Sequence, residues 1–389
     1  MAIPLPRWCA KSSSRSVAEP LLQRVRQALR KDTFLQILLL GLVALSFATR
    51  TPLATYTGLV DWPTIAALTG LLALTQGVEA SGALHRLGHW LVGYMTSERT
   101  AALCLVSAAA VLSTVLTNDV ALFVIVPLTL GICRITPLPT TRLVVFEALA
   151  VNAGSALTPI GNPQNLFLWQ LSGSSFGRFV LHMLPLVAVL VLLLLAVTAL
   201  AFSGRALQAP DPEAPHPLDR RLLGASLLLY PVFLVLTDLH YAPWALVAVL
   251  LCLGALHWRV LAQIDWGLLL VFMLMFIDLR LLAGLDAVQH ALAGWELAQP
   301  LHLFWAGIAA SQMVSNVPAA IALAEFSKDW KVLAYAVNIG GFGLMVGSLA
   351  NLIALRMAPD KRAWISFHVW SLPFLAAGAA VGWLLLFAM

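Results

Sequence analysis

Long apolar runs, each bounded by a short polar or Gly/Pro-rich stretch, dominate the chain from residue 34 onward. An α-helix rises 1.5 Å per residue and the hydrocarbon layer is about 30 Å thick, so about 20 such residues cross it. Runs near 34–49, 62–79, 143–171, 176–203, 222–237, 243–258, 266–283, 332–357 and 364–388 predict about nine crossings. Two further apolar segments, 100–134 and 300–326, are interrupted midway by the polar tips Thr117-Asn118-Asp119 and Ser315-Asn316. Each predicts a helical hairpin that enters and leaves on one side of the membrane, whatever the depth of its tip.

Composition removes the soluble alternatives. Of 389 residues, 60% are hydrophobic and 11% charged, where a soluble globular chain carries about 25% charged residues. Most of the surface must face lipid or other apolar helices. The fold class is therefore an all-α polytopic membrane protein, with the lipid bilayer as its first partner.

The net charge of +5 is concentrated at the start: residues 1–31 hold seven bases (Arg7, Lys11, Arg15, Arg24, Arg26, Arg30, Lys31) against Glu19 alone. A basic segment before the first apolar run sets orientation by the positive-inside rule and can lie on anionic headgroups; it does not imply nucleic acid. Residues 1–33 are read as a cytoplasmic basic segment, in which Val17 to Asp32 forms an interfacial amphipathic helix. With the N-terminus cytoplasmic, Arg99, Arg134, Arg142, Arg205, Arg220, Arg221, Arg259, Lys361 and Arg362 all fall inside. Arg50, Arg178, Lys328 and Lys331 fall outside. A bacterial-type inner membrane is the expected location.

The Pro-rich polar stretch 204–221 divides the chain into a first transmembrane repeat, 34–203, and a second, 222–389. The division is marked by an internal repeat. Asn152-Ala-Gly-Ser-Ala-Leu-Thr-Pro-Ile-Gly-Asn-Pro-Gln-Asn165 and Asn338-Ile-Gly-Gly-Phe-Gly-Leu-Met-Val-Gly-Ser-Leu-Ala-Asn351 share Asn, Gly, Gly and Asn at offsets 0, 2, 9 and 13. Both follow a hairpin with Asn at its tip, preceded five residues earlier by Ser113 or Ser311. The first hairpin opens from the inside and the second from the outside, so the repeats are inverted, as in many secondary transporters.

Gly154, Pro159, Gly161 and Pro163 in one apolar run would leave backbone groups without partners in lipid, and are tolerable only around a protein-lined cavity. Unwinding at 154–162 and at 340–348 predicts a broken transmembrane helix in each repeat. Its half-helix N-termini attract anions and its freed carbonyls can coordinate a cation. The alternative is close helix packing through small residues, which leaves the flanking Asn pairs and their recurrence unexplained. The candidate substrate and ion site is thus Asn152, Gly154, Ser155, Thr158, Gly161 and Asn165 with Asn338, Gly340, Gly347 and Asn351, together with the tips Thr117, Asn118, Asp119, Ser315 and Asn316.

Asn118 and Asn316 can each donate and accept two hydrogen bonds, fitting them either to bind a ligand or to cap a turn. Thr117 and Ser315 can add hydroxyls or bond their own backbone. Asp119, whose counterpart is Val317, is the single charged side chain in 100–133. An acid at membrane depth marks an ion or proton path; otherwise it caps the second arm. Glu147, five residues before Asn152, is a possible relay. Glu79 and Asp278, late in their spans, are placed near interfaces.

Four separated cysteines indicate neither a zinc site nor a disulfide framework, and nine scattered histidines give no metal cluster. Trp62, Trp90, Trp244, Trp258, Trp266 and Trp364 near predicted span ends form an aromatic belt. No phosphate-binding or hydrolase motif is present, so neither ATP drive nor an enzyme is expected, and no cofactor beyond a coupling ion.

The segments 117–127, 152–165, 315–318 and 338–351 resemble the ion transporter superfamily, which includes citrate-permease-like proteins, divalent-anion/sodium symporters and arsenite efflux permeases. The resemblance covers most of the chain after the N-terminal segment. It implies two re-entrant hairpins, a homodimer, and a transport domain moving against a scaffold, with the ligand between the tips and the unwound helices. Transient Na⁺ binding at Asn118 and Asn316 is part of that pattern. Dicarboxylate carriers of the superfamily have Ser-Asn-Thr at both tips; the Asn118-Asp119 tip is closer to the arsenite permease branch. The sequence is read as a secondary active transporter of a small anion or neutral oxyacid coupled to H⁺ or Na⁺. Cation/proton antiport is the alternative within the superfamily, and a channel or intramembrane enzyme the alternative outside it.

Overall fold

The structure is a computed structural model that describes residues 33–136, 138–207, 217–360 and 362–388. The predicted interfacial helix Val17–Asp32 and the middle of the polar linker lie outside the described residues.

The described residues are almost entirely helical, with one isolated antiparallel bridge, Ser97 to Ala206. The first half contains α1 (Thr33–Thr49), α2 (Trp62–Ala80), α3 (Ala83–Val92), a hairpin of α4 (Glu98–Val115) and α5 (Asn118–Ile135), then α6 (Thr140–Ser155), α7 (Pro163–Ser172) and α8 (Phe176–Ala201). A connecting helix, α9 (Arg220–Asp238), leads to α10 (Ala242–Ala262). The series then recurs: α11 (Trp266–Ala283), α12 (Asp286–Ala293), a hairpin of α13 (Pro300–Val314) and α14 (Asn316–Ala324), α15 (Trp330–Ile339), α16 (Leu349–Met357) and α17 (Ala363–Trp383).

The helix starts follow local chemistry. Asp61, Ser97, Asn162, Ser175, Asp219, Asp265 and Asp329 each accept a hydrogen bond from a backbone N–H of the first turn, which satisfies donors a helix start leaves open. Among the described residues, six helices are long and apolar enough to cross a membrane: α4, α8, α9, α10, α11 and α17 with its C-terminal extension. The runs 143–171 and 332–357, each expected as one broken crossing, are pairs of half-helices. The chain leaves α-helical geometry at 156–162 between α6 and α7, two residues later than expected because α6 continues through Ser155, and at 340–348 between α15 and α16, where Met345–Gly347 form a single 3-10 turn. The hairpins differ in reach: α4 and α5 have 18 residues each, whereas α13 has 15 and α14 only 9. Trp62, Trp90, Trp244, Trp258, Trp266 and Trp364 sit at or near helix ends and are all about half-exposed or more.

Packing repeats itself between the halves. In each half the first hairpin arm and the second both lie on the first half-helix, α4 and α5 on α6, α13 and α14 on α15. Across the halves, α6 and α5 pack on α16 as α15 and α14 pack on α7. Outside this core, α1 packs on α11 as α10 packs on α2. The correspondence is incomplete: α2 is packed on α7, α11 on α14 and α8 on α4, without equally close mirror pairs.

Candidate functional site

The two breaks face each other at the middle of this core, and the Asn residues that flank them join across the halves. Asn152 donates to Asn351 Oδ1 at 2.7 Å, and Asn338 donates to Asn165 Oδ1 at 2.6 Å. The first Asn of each repeat therefore holds the last Asn of the other. All four are buried, where leaving an amide unpaired is costly.

The remaining amide groups hold the uncoiled backbone. Asn165 donates to the carbonyls of Ser155, Ala156 and Thr158 at 3.1–3.3 Å. Asn351 donates to Gly341 O at 2.9 Å, and Asn152 reaches the same oxygen at 3.4 Å. The hydroxyl of Thr158 donates to Thr114 O at 2.6 Å and accepts from Gly161 N at 3.1 Å, tying the first break to the first hairpin. Carbonyls released by unwinding are thus already hydrogen-bonded. A cation would have to use their second lone pairs or displace these amides.

Glycine permits this proximity. A Cβ on Gly154 would strike Ala110 O and Ser113, and one on Gly340 would strike Ser311. The Ser that precedes each tip by five residues is therefore the surface against which the break's first glycine rests. Gly161 similarly lies on the carbonyls of Ser113 and Ser155, and Gly347 on those of Gly340 and Phe342.

The hairpin tips reach the same centre. Asn118 N donates to Gly161 O at 2.9 Å, while the Asn118 side chain accepts from Asp119 N. A Cβ on Gly341 would lie 3.2 Å from Asn316 Nδ2 and 3.5 Å from Asn152 Oδ1, so the second tip, the second break and α6 meet there. Ser315 turns the second tip at φ 76°, left-handed geometry that costs a non-glycine residue about 1–3 kcal/mol and recurs at functional sites. Neither Thr117 nor Ser315 caps its helix through its side chain.

Three acids lie apart from the asparagine network. Asp119 Oδ1 is enclosed and without a partner among the described residues. Glu147 is fully buried, accepts a hydrogen bond from Thr129 on Oε1, and leaves Oε2 unpartnered. Asp278 is buried at 6% exposure between α11 and Gly41 of α1, because the missing Cβ of Gly41 leaves room for its carboxyl. Arg280 turns instead to Glu325 at 3.1 Å and Asp61 at 3.9 Å.

Four polar residues of the centre are absent from the sequence-derived set. Asn162 caps α7 and donates to Asn338 Oδ1 at 2.9 Å and Ser155 Oγ at 3.2 Å; Gln164 adds a longer bond to Asn338. Gln312 bonds the second break, and Ser348 is fully buried with an unpartnered hydroxyl. Asn162 and Ser348 share offset 10 of the repeat, so an alignment by offset brings them forward; Gln312 follows Ser311 in an otherwise apolar arm.

Helices α5, α7, α14 and α16 all begin at this centre. The flanking segments 113–118, 152–165, 311–318 and 338–351 contain no charged residue, and Asp119 directly follows the first. Helix N-termini and amide donors are therefore the positive groups an anion would meet. Among the described residues no cluster of metal-ligating side chains occurs.

A sequence model of the family described as "Citrate transporter" matches residues 34–330. The chain belongs to that family. It is 46% identical over 360 residues to "Inner membrane protein YbiR" of Escherichia coli (strain K12), covering 92% of this chain and 97% of that protein. It is 30% identical over 328 residues to "Uncharacterized transporter MJ0456" of Methanocaldococcus jannaschii, covering 84% and 89%. "Uncharacterized transporter Rv2684" of Mycobacterium tuberculosis is 28% identical over 362 residues, 83% of each chain. Membership of the citrate transporter family places the chain in the ion transporter superfamily as a multi-pass membrane transport protein, not an enzyme.

Proposed function

We propose that this member of the citrate transporter family is a secondary active carrier of a small anion or neutral oxyacid, coupled to H⁺ or Na⁺ and working by alternating access. The observation that carries the reading is the reciprocal pairing of Asn152 with Asn351 and Asn338 with Asn165, which joins two uncoiled stretches into one centre. Uncoiled backbone at membrane depth is stable only where protein or a cavity satisfies it, and midplane sites between repeats are built this way.

Inversion of the halves follows from crossing parity. From the start of α1 to the start of α10 the chain passes through α1, α2, the α6–α7 pair, α8 and α9, an odd number, while each hairpin returns to its own side. The stretch α1–α8 and the stretch α10–α17 then have opposite orientations, with α9 as the extra crossing between them, and the hairpins are re-entrant from opposite faces; the cytoplasmic N-terminus rests on the positive-inside distribution. The packing of α7 and α14 on α2 and α11, without a matching feature among the strongest contacts at the other end, supports a state closed on one side. The reading places the protein in an inner membrane, the location stated in the YbiR name, and includes a homodimer, testable by the mass of the protein–detergent particle.

Substrate selection follows from charge. Helix N-termini supply fractional positive charge, while Asp119 beside the tip opposes a polyanion, so a monoanion or a neutral oxyacid fits best. The test is a thermal-shift screen of purified protein against arsenite, citrate, succinate, sulfate and phosphate, with and without Na⁺, because a ligand raises apparent stability by mass action. Positive compounds then enter proteoliposome uptake under H⁺ or Na⁺ gradients. Gradient-driven accumulation supports the carrier. Na⁺ movement linked to ΔpH without oxyanion flux would favour cation/proton antiport, to which the unpartnered Asp119 oxygen would also be suited.

A further inference from the structure

The two hairpins hold their breaks by different chemistry. In the first half, main-chain groups of the hairpin do the holding: Asn118 N donates to Gly161 O, and Thr114 O accepts from Thr158. In the second half one side chain takes over. Gln312 of α13 donates to Gly340 O at 2.7 Å and to Phe342 O at 3.0 Å, and its Oε1 accepts from Leu344 N at 2.7 Å. No other hydrogen bond between α13–α14 and 340–348 is present among the described residues. The same amide closes against Gly343, at φ 92°, and Gly347, where a Cβ would lie 2.6 Å from Gln312 Oε1 and 3.4 Å from its Nε2 respectively.

We propose that Gln312 is the positioning residue of the second half of the pocket, fixing the Gly340–Leu344 backbone on the second hairpin. Its amide is matched to the task. Two N–H donors meet two carbonyls that unwinding released, and one acceptor meets an N–H that unwinding released. An isosteric apolar residue supplies none of these, and a carboxylate supplies the acceptor alone. The remaining hold on this backbone comes from Asn351 and Asn152 at Gly341 O and from Ser371, which accepts from Gly343 N at 2.8 Å. Hairpin and break would therefore separate on loss of Gln312 without dismantling the network across the halves. The proposal deepens the reading of this break as half of the substrate pocket and rests on that reading for its functional meaning.

The experiment is hydrogen exchange by mass spectrometry on the purified full chain in lipid nanodiscs, without substrate, comparing wild type with Gln312→Leu and Gln312→Glu. Loss of these bonds is expected to speed exchange across 340–348 by about tenfold or more in Gln312→Leu, with 154–162 unchanged as the internal reference. For Gln312→Glu the excess over wild type should be large at pH 8 and shrink as the pH falls, because a protonated carboxyl regains one donor; Gln312→Leu should show no such pH dependence. Equal protection of 340–348 in all three proteins would overturn the proposal. So would loosening of both breaks together, or a Gln312→Glu excess that does not vary with pH. Because no substrate is involved, the carrier reading can fail in the uptake assay while this result stands, or the reverse.

Discussion

Asn152 Nδ2 lies 2.7 Å from Asn351 Oδ1, joining the last turn of α6 before the first uncoiled stretch to the first turn of α16 after the second. The mirror contact, Asn338 to Asn165, makes the bond one of a symmetric pair. Both contacts are buried, so each amide satisfies a group that neither water nor lipid could reach.

Truncation of one partner should cost more than the bond itself is worth. Asn351→Ala leaves Asn152 Nδ2 and Gly341 O short of a partner, and about 1–3 kcal/mol of stability should be lost. Asn338→Ala should do the same at the mirror position. Thermal unfolding in detergent measures both, and a double-mutant cycle on Asn152 and Asn351 should give a coupling of about 0.5 kcal/mol or more. Simple additivity would show that the pair is not a joint.

Helix approach at the glycines gives a second expectation. Gly154→Ala and Gly340→Ala insert a methyl into the Ala110 carbonyl with Ser113, and into Ser311, and each should destabilise by about 1–3 kcal/mol. Gly224→Ala in α9, where nothing lies within 4 Å, should be neutral or slightly stabilising through helix propensity. Similar unfolding temperatures for all three would contradict the packing.

Asp119 and Glu147 separate coupling from binding. Asp119→Asn should abolish gradient-driven uptake in proteoliposomes while the protein remains folded. Glu147→Gln, which keeps an acceptor for the Thr129 hydroxyl, should slow gradient-driven uptake by about tenfold if Glu147 relays the ion, and leave substrate counterflow intact. Undiminished driven uptake in Asp119→Asn would remove that residue from the coupling path.

Arg280 links the end of α11 to α2 and to the second hairpin, bonding Leu59 O at 2.6 Å, Asp61 and Glu325. These side chains are 17–31% exposed, so the ties are worth about 1 kcal/mol or less each. That is enough to bias two states severalfold. Arg280→Met should therefore increase the population with the hairpin apart from α2, read as a longer-distance component between spin labels at Tyr56 and Lys328. An unchanged distance distribution would show that the cluster does not hold this side closed.

Much of the architecture was legible because the bilayer imposes simple demands. Apolar length predicts the spans, and residues such as Asp61, Ser97 and Asn162 set helix starts through bonds two or three positions away. The two breaks were legible at Gly154–Pro163 and Gly340–Gly347 because glycine and proline act on their own backbone. The burial of Asp278 was not legible, because it depends on the space that Gly41 leaves on α1, a helix more than 200 residues away in the chain.

The chain by itself determined that there would be two hairpins with asparagine tips, two uncoiled stretches with asparagine at each end, and lipid-facing helices around them, since these rest on hydropathy and local backbone preference. Tertiary structure alone decided that Asn152 takes Asn351 and Asn338 takes Asn165, that Gln312 rather than a tip residue holds the second break, and that Arg280 reaches Glu325 instead of Asp278. Such pairings depend on which helix faces which across the core, at separations of up to 199 residues. An amide has the same donors and acceptors wherever it stands, so only the packing of the surrounding helices selects its partner.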